Sequence, residues 1–244
     1  KSNTNYIDGP IVSNCHHMSS RVFCNCFKVV QTKYSLGLSA TLERKDGLTC
    51  VFKLFLGDVC YQDLTETYNN VLVKVIHYKV IDDEFNTLEV DYRGNVKYST
   101  MITKLSNYTF RNDFIIEVIF NELKVNIDQQ ILVLSHNKSV LNYFNKQIKI
   151  SDYSCGFYIG GMREKDLKTS ESKQIILATY AMAAEALDIK TLTTLVLTTP
   201  KTDITQAVGR ILRSPHSQPV ILDFVDQHTT FLNQYKKRQQ FYNQ

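Results

Sequence analysis

Near the C-terminus, Gln206, Arg210 and Arg213 stand at i, i+4 and i+7, a spacing that puts all three on one face of a helix. Ala207 with Ile211 and Val208 with Leu212 form i,i+4 apolar pairs on a separate face. Gly209 lacks a side chain, so another backbone or a ligand could approach there. Such a helix holds two guanidinium groups toward one point. Guanidinium is always charged, and its fork of donors suits phosphate oxygens. The alternative reading is a solvated basic face on an ordinary amphipathic helix. Small hydroxyl residues end several apolar runs: Ser39 and Thr41, Ser135, and Thr179. Taken singly these are strand-end turn residues, and Glu185 with Asp188 is a solvated helix face.

Elements that could position these residues follow in order. Pro10-Ile11-Val12 reads as a buried strand leading into Ser13-Asn14-Cys15-His16-His17, and residues 18–27 look helical. Residues 33–41 read as a second strand, followed by a charged loop and a helix over 48–56. Residues 60–70 are polar and weakly patterned, as a linker is. The expected division is 1–60, a linker at 61–70, and a second domain at 71–244. That domain opens with a strand over 71–80, an irregular excursion or hairpin over 81–98, and one long helix over 100–124. Strands over 130–135, 154–159, 174–179, 193–198 and 219–225 then alternate with helices, ending in a basic helix over 227–244. Continuous apolar strands alternating with helices predict an α/β fold, a parallel sheet covered on both faces. Ligands gather at the carboxyl ends of such strands, where the hydroxyl residues and Gly160-Gly161 fall.

The composition, 43% hydrophobic and 21% charged, is that of a globular chain with a sizeable core, and a net charge of +4 is compatible with nucleic acid. No apolar run reaches the roughly 18 residues that a membrane span needs. Lys1 is not an initiator Met and no signal core follows it, so the sequence reads as a piece of a longer, intracellular protein. The six cysteines read as reduced thiols. Cys15, His16, His17, Cys24 and Cys26 fit no common zinc spacing, so no metal is expected there.

Several stretches together resemble superfamily-2 helicases related to the xeroderma-pigmentosum-B type, and especially those of large nucleocytoplasmic DNA viruses. Residues 36–41 with 43–48 resemble motif III and its sequel, residues 131–136 motif IV, residues 176–189 motif V, and residues 206–213 motif VI. The resemblance implies a second RecA-like lobe from about residue 71, preceded by the tail of the first. It also implies that ATP and Mg2+ sit between the lobes, in a site completed by the remainder of the first lobe. Arg210 and Arg213 then match the arginine fingers that stabilise charge on the transferring phosphoryl group, and Gln206 opens motif VI. Glu185 and Asp188 match motif V, which couples nucleotide to nucleic acid, with Gly209 beside the nucleotide. Ser39 and Thr41 match motif III, and Ser135 and Thr179 would touch the nucleic-acid backbone, DNA in preference to RNA. If the source is a virus, the protein acts in the host cytoplasm or the virion.

Three departures stand out. No glycine-rich phosphate loop, GxxxxGK followed by Ser or Thr, occurs in the sequence. Ser13-Asn14 occupies the place of the family's metal-binding Asp-Glu pair, and Ala186 that of a usual Gly. These keep two rivals open: a degenerate, non-catalytic remnant that binds nucleic acid or protein, and a plain nucleotide-binding α/β domain, which the missing loop disfavours.

Overall fold

The computed structural model describes residues 11–13, 15–29, 33–39, 47–62, 71–185, 187–212 and 218–243, in two compact units, 1–67 and 68–244. In the first unit, β1 (Ile11–Ser13) and β2 (Leu36–Leu38) pair in parallel, with Ser13 opposite Leu38. Between them run 3-10 turns at Cys15–Ser19 and Phe23–Asn25 and the short α1 (Cys26–Val29), not the continuous helix expected over 18–27. α2 (Thr49–Leu56) packs on this pair, with Phe27 stacked on Phe55 at 4.5 Å. Gly37 sits close under that packing: a Cβ there would lie 2.6 Å from Leu56 Cδ1 and 3.2 Å from Cys15 Sγ, so the Leu56 side chain would have to move aside.

The second unit is built on six apolar strands: β3 (Leu72–Tyr78), β4 (Ile131–Ser135), β5 (Cys155–Tyr158), β6 (Ile175–Thr179), β7 (Thr194–Leu197) and β8 (Val220–Asp226). All are parallel, in the order β3-β8-β7-β4-β6-β5. Alternate side chains feed two cores, because successive strand residues point to opposite faces. Leu132, Leu134, Ile176, Ala178, Leu195 and Ile221 join the core formed with α8 (Tyr180–Glu185) and α9 (Thr205–Ile211). Ile131, Val133, Ile175, Leu177, Val196, Leu222 and Phe224 join the other, with α5 (Thr109–Val125) and α6 (Lys138–Ile148). α7 (Glu164–Glu171) lies so close to β5 that a Cβ on Gly156 would be 2.9 Å from Ser170 Cα.

The excursion after β3 is a small subdomain. Asp82 caps α3 (Asp83–Asn86), and Val90 bridges Val96 across a turn in which Asp91 accepts from Arg93 and Asn95 N–H groups at 2.8 and 2.9 Å. The single helix expected over 100–124 is two, α4 (Tyr98–Asn107) and α5, broken at Tyr108. Tyr108 is drawn out of helical geometry to stack near Phe85 at 4.4 Å and to donate to Asp82 Oδ2 at 2.7 Å. That bond holds its phenol up at about 12.

Two carboxylates interrupt the apolar strand β8, and each is buried against an arginine. Asp226 accepts from Arg111 of α5 at 2.6 and 2.8 Å, both side chains 0% exposed. Asp223, on the opposite face, accepts from Arg238 of α10 (Thr229–Tyr242) at 2.8 and 2.9 Å and from Tyr242 Oη at 2.9 Å. Burial pushes the Asp223 carboxyl up, and Arg238 and Tyr242 pull it back only in part. Removing one member of such a pair strands a buried charge. Asp226→Ala is therefore expected to cost about 3–5 kcal/mol in urea unfolding, more than the joint replacement Arg111→Met with Asp226→Leu.

Candidate functional site

The carboxyl ends of β4, β6 and β7 lie side by side at the centre of the six-stranded sheet, where several candidate residues fall. Ser135 and Thr179 are register partners there, each the last residue of its strand. Ser135 is fully buried, and its Oγ accepts from Asn137 N–H at 3.2 Å, so it shapes the turn; Thr179 is half-buried. Gly160 and Gly161 follow β5 on the same edge, Gly161 at φ 90°, and Lys138 Nζ donates to Gly160 O at 3.2 Å.

α9 forms over Thr205–Ile211 and carries Gln206 and Arg210 of the predicted helix. Ala207, Val208 and Ile211 are buried, and Gln206 and Arg210 half-buried. Arg210 donates to Leu187 O at 2.7 Å and to Ala184 O, joining the C-terminal end of α8 to α9. Asp188 is exposed between buried Leu187 and Ile189. Glu185 closes α8. Nothing among the described residues lies within 4 Å of a Cβ built on Gly209, so its openness is toward a ligand or solvent rather than a packed backbone. Arg213, Thr41, Asn14 and Ala186 lie outside the described residues. In the first unit Ser13 ends β1 and Ser39 follows β2, on the same edge of their two-stranded sheet.

Sequence reasoning missed the loop between β7 and α9. Its successive carbonyls each receive a donor: Thr198 O from Arg111 at 2.8 Å, Thr199 O from Tyr180 Oη at 2.7 Å, Pro200 O from Tyr98 Oη at 3.0 Å, and Lys201 O from Arg238 at 2.7 Å. Thr199 Oγ1 also accepts from His136 N–H at 3.0 Å and lies 2.9 Å from His136 Nδ1. The His136 ring packs on Tyr180 at 4.7 Å, with Lys201 Nζ 5.4 Å from the same phenol ring. Burial, and then the Lys201 charge, lower the His136 pKa to about 4, so the ring is neutral at neutral pH and one of its two nitrogens carries the proton. The available signal was the pair of acids in the run Val220–Asp226, since acids in a buried strand demand cationic partners. Among the described residues no group of three metal-ligating side chains occurs, and no helix is long and apolar enough to cross a membrane.

Two outcomes follow. Gly209→Ala should leave the fold intact and raise stability by about 0.5–1 kcal/mol, the helix preference of alanine, read by thermal melts. His136 binds its proton less readily folded than unfolded, so its stabilising contribution is complete above the ordinary imidazole value of 6.5 and lost toward about 4. Melting temperature should fall across that window, and fall less in His136→Gln.

No family model matches the chain. A protein of Acanthamoeba polyphaga mimivirus, named among the ATP-dependent RNA helicases, is 34% identical over 242 residues, covering 95% of this chain and 46% of the relative. An Escherichia phage T5 protein named as a helicase is 25% identical, covering 95% and 52%. The chain thus spans about half the length of the curated relatives it matches. Among solved structures, T4 UvsW aligns over 96% of this chain and 51% of its own, with TM-score 0.55 and 19% identity. Yeast (S. cerevisiae) Dbp5 bound to RNA and ADP BeF3 aligns over 94% and 55%, with TM-score 0.56 and 11% identity. These structural likenesses establish the RecA-like fold. The mimivirus relationship and this fold agree: over 95% of its length the chain is similar to viral proteins named as helicases, and its second unit has the RecA-like fold of helicase domains.

Proposed function

We propose that this chain is the C-terminal part of an ATP-dependent superfamily-2 helicase or translocase that works on nucleic acid inside an infected host cell. In this reading residues 71–244 are the second RecA-like lobe, and residues 1–60 the tail of the first. The observation that carries it is the arginine helix, entering from the carboxyl edge of a parallel sheet with Arg210 bonded to the α8 end. Arg210 and Arg213 act as fingers on the phosphoryl group, Gln206, Gly209, Glu185 and Asp188 serve nucleotide binding and coupling, and Thr179 contacts the nucleic-acid backbone. Ser135, being buried, acts through the turn it holds. Ser39 and Thr41 transmit lobe movement.

The residues present fit one side of an ATP site, the guanidinium side. A phosphate loop is absent from the sequence, and Ser13-Asn14 offers no carboxylate for Mg2+. The first unit supports a larger lobe. Among the described residues its sheet has two strands, and Val22, Val29, Leu54 and Tyr61 are 77–81% exposed. The Ser13-Asn14 pair favours a second reading, a non-catalytic remnant that keeps only binding.

Anisotropy titration of the chain with labelled single strands should show affinity falling steeply between about 50 and about 200 mM salt, as phosphate contacts require. Thr179→Ala should weaken binding several-fold. DNA should compete better than RNA; the reverse order would follow the name of the mimivirus relative and overturn the DNA preference. The chain alone should hydrolyse no ATP. Turnover abolished by Arg210→Ala would show that wrong, and absence of strand binding would overturn the motor reading.

A further inference from the structure

Helices α8 and α9 hold each other at both ends. Tyr180 opens α8, and its hydroxyl donates to Thr199 O at 2.7 Å, in the loop that leads into α9. Arg210, near the end of α9, donates back to Leu187 O at 2.7 Å and to Ala184 O, at the other end of α8. Between these latches Ala183, Leu187, Ala207 and Ile211 share one buried core. The loop leading into α9 is anchored, with four donors from four helices on its carbonyls from Thr198 to Lys201.

We propose that α8, α9 and this loop move as one rigid body, and that Tyr180 is the positioning residue that ties the arginine helix to the strand end at Thr179. This rests on the reading of that strand end as a nucleic-acid contact. Tyr180 follows Thr179 directly, so a load on the strand end reaches the loop that leads into α9 through one phenol hydroxyl. Tyr98 is the natural control. It donates to the next carbonyl, Pro200 O, at 3.0 Å, but from α4, which carries no candidate nucleic-acid residue.

Amide hydrogen exchange on the 244-residue chain tests this, with and without a short oligo-thymidylate or oligo-uridylate strand. Without the strand, the Ala184 and Val208 amides should open with one common free energy across a denaturant series. Two separate values would overturn the rigid body, whatever the variants do. With the strand, amides of 208–212 should slow by at least about fivefold in the wild type and in Tyr98→Phe, and by less than about twofold in Tyr180→Phe, which should still bind. A Tyr180→Phe chain that responds as the wild type does would overturn the role of Tyr180. Failure of the wild type to bind either strand would instead overturn the nucleic-acid reading, while the strand-free exchange still decides the latch.

Discussion

The backbone from Thr198 to Lys201 is a loop buried through Pro200 and half-buried at Lys201, and such loops are rare because carbonyls outside a helix or sheet have no automatic donor. Each must be answered by a side chain, and here the answers set much of the second unit. Two come from tyrosines, which bring an apolar ring and one donor. Two come from guanidinium groups, which cannot be buried without a counter-charge, and that requirement places Asp223 and Asp226 in the middle and end of an otherwise apolar strand. Because adjacent faces alternate along β8, one pair fastens α5 to one side of the sheet and the other fastens α10 to the opposite side. A single short loop thereby dictates charges on three elements.

The sheet was legible because its signal is local. Six apolar runs with helices between them specify a covered parallel sheet, and strand-end hydroxyls mark its working edge. The helix that carries Gln206 and Arg210 was legible for the same reason, a local period. What escaped were interactions between residues far apart in sequence. Tyr98, Arg111, Tyr180 and Arg238 look like ordinary members of amphipathic helices until the loop they share is in place. The break at Tyr108 escaped likewise, since helical periodicity runs through it and only Asp82 and Phe85 say why the chain turns. In the first unit the expected helix is replaced by 3-10 turns and the four-residue α1.

The arginine helix is less free than its pattern suggests. Half-buried Arg210 spends donors on carbonyls of α8, and the guanidinium direction is fixed by backbone rather than by another side chain. Such a partner cannot be changed by substitution at the acceptor, which makes this contact tolerant of sequence variation in residues 184–187. Gly209 contributes the opposite property, an unfilled space on the same helix.

The order of strands has a consequence for how the unit is made. β3 lies at the sheet's edge, and its one strand neighbour is β8, with Leu72 paired to Val220. During synthesis the first strand of the unit therefore waits, unpaired, for more than half the chain to emerge. An apolar strand with free edge groups is an aggregation hazard over that interval, and closing so long a loop is slow. The small subdomain after β3, with its own core of Phe85, Met101 and Leu105, lies between that strand and the rest of the unit. It can collapse locally on the ribosome long before β8 exists, with Phe231 of α10 arriving last to seal it.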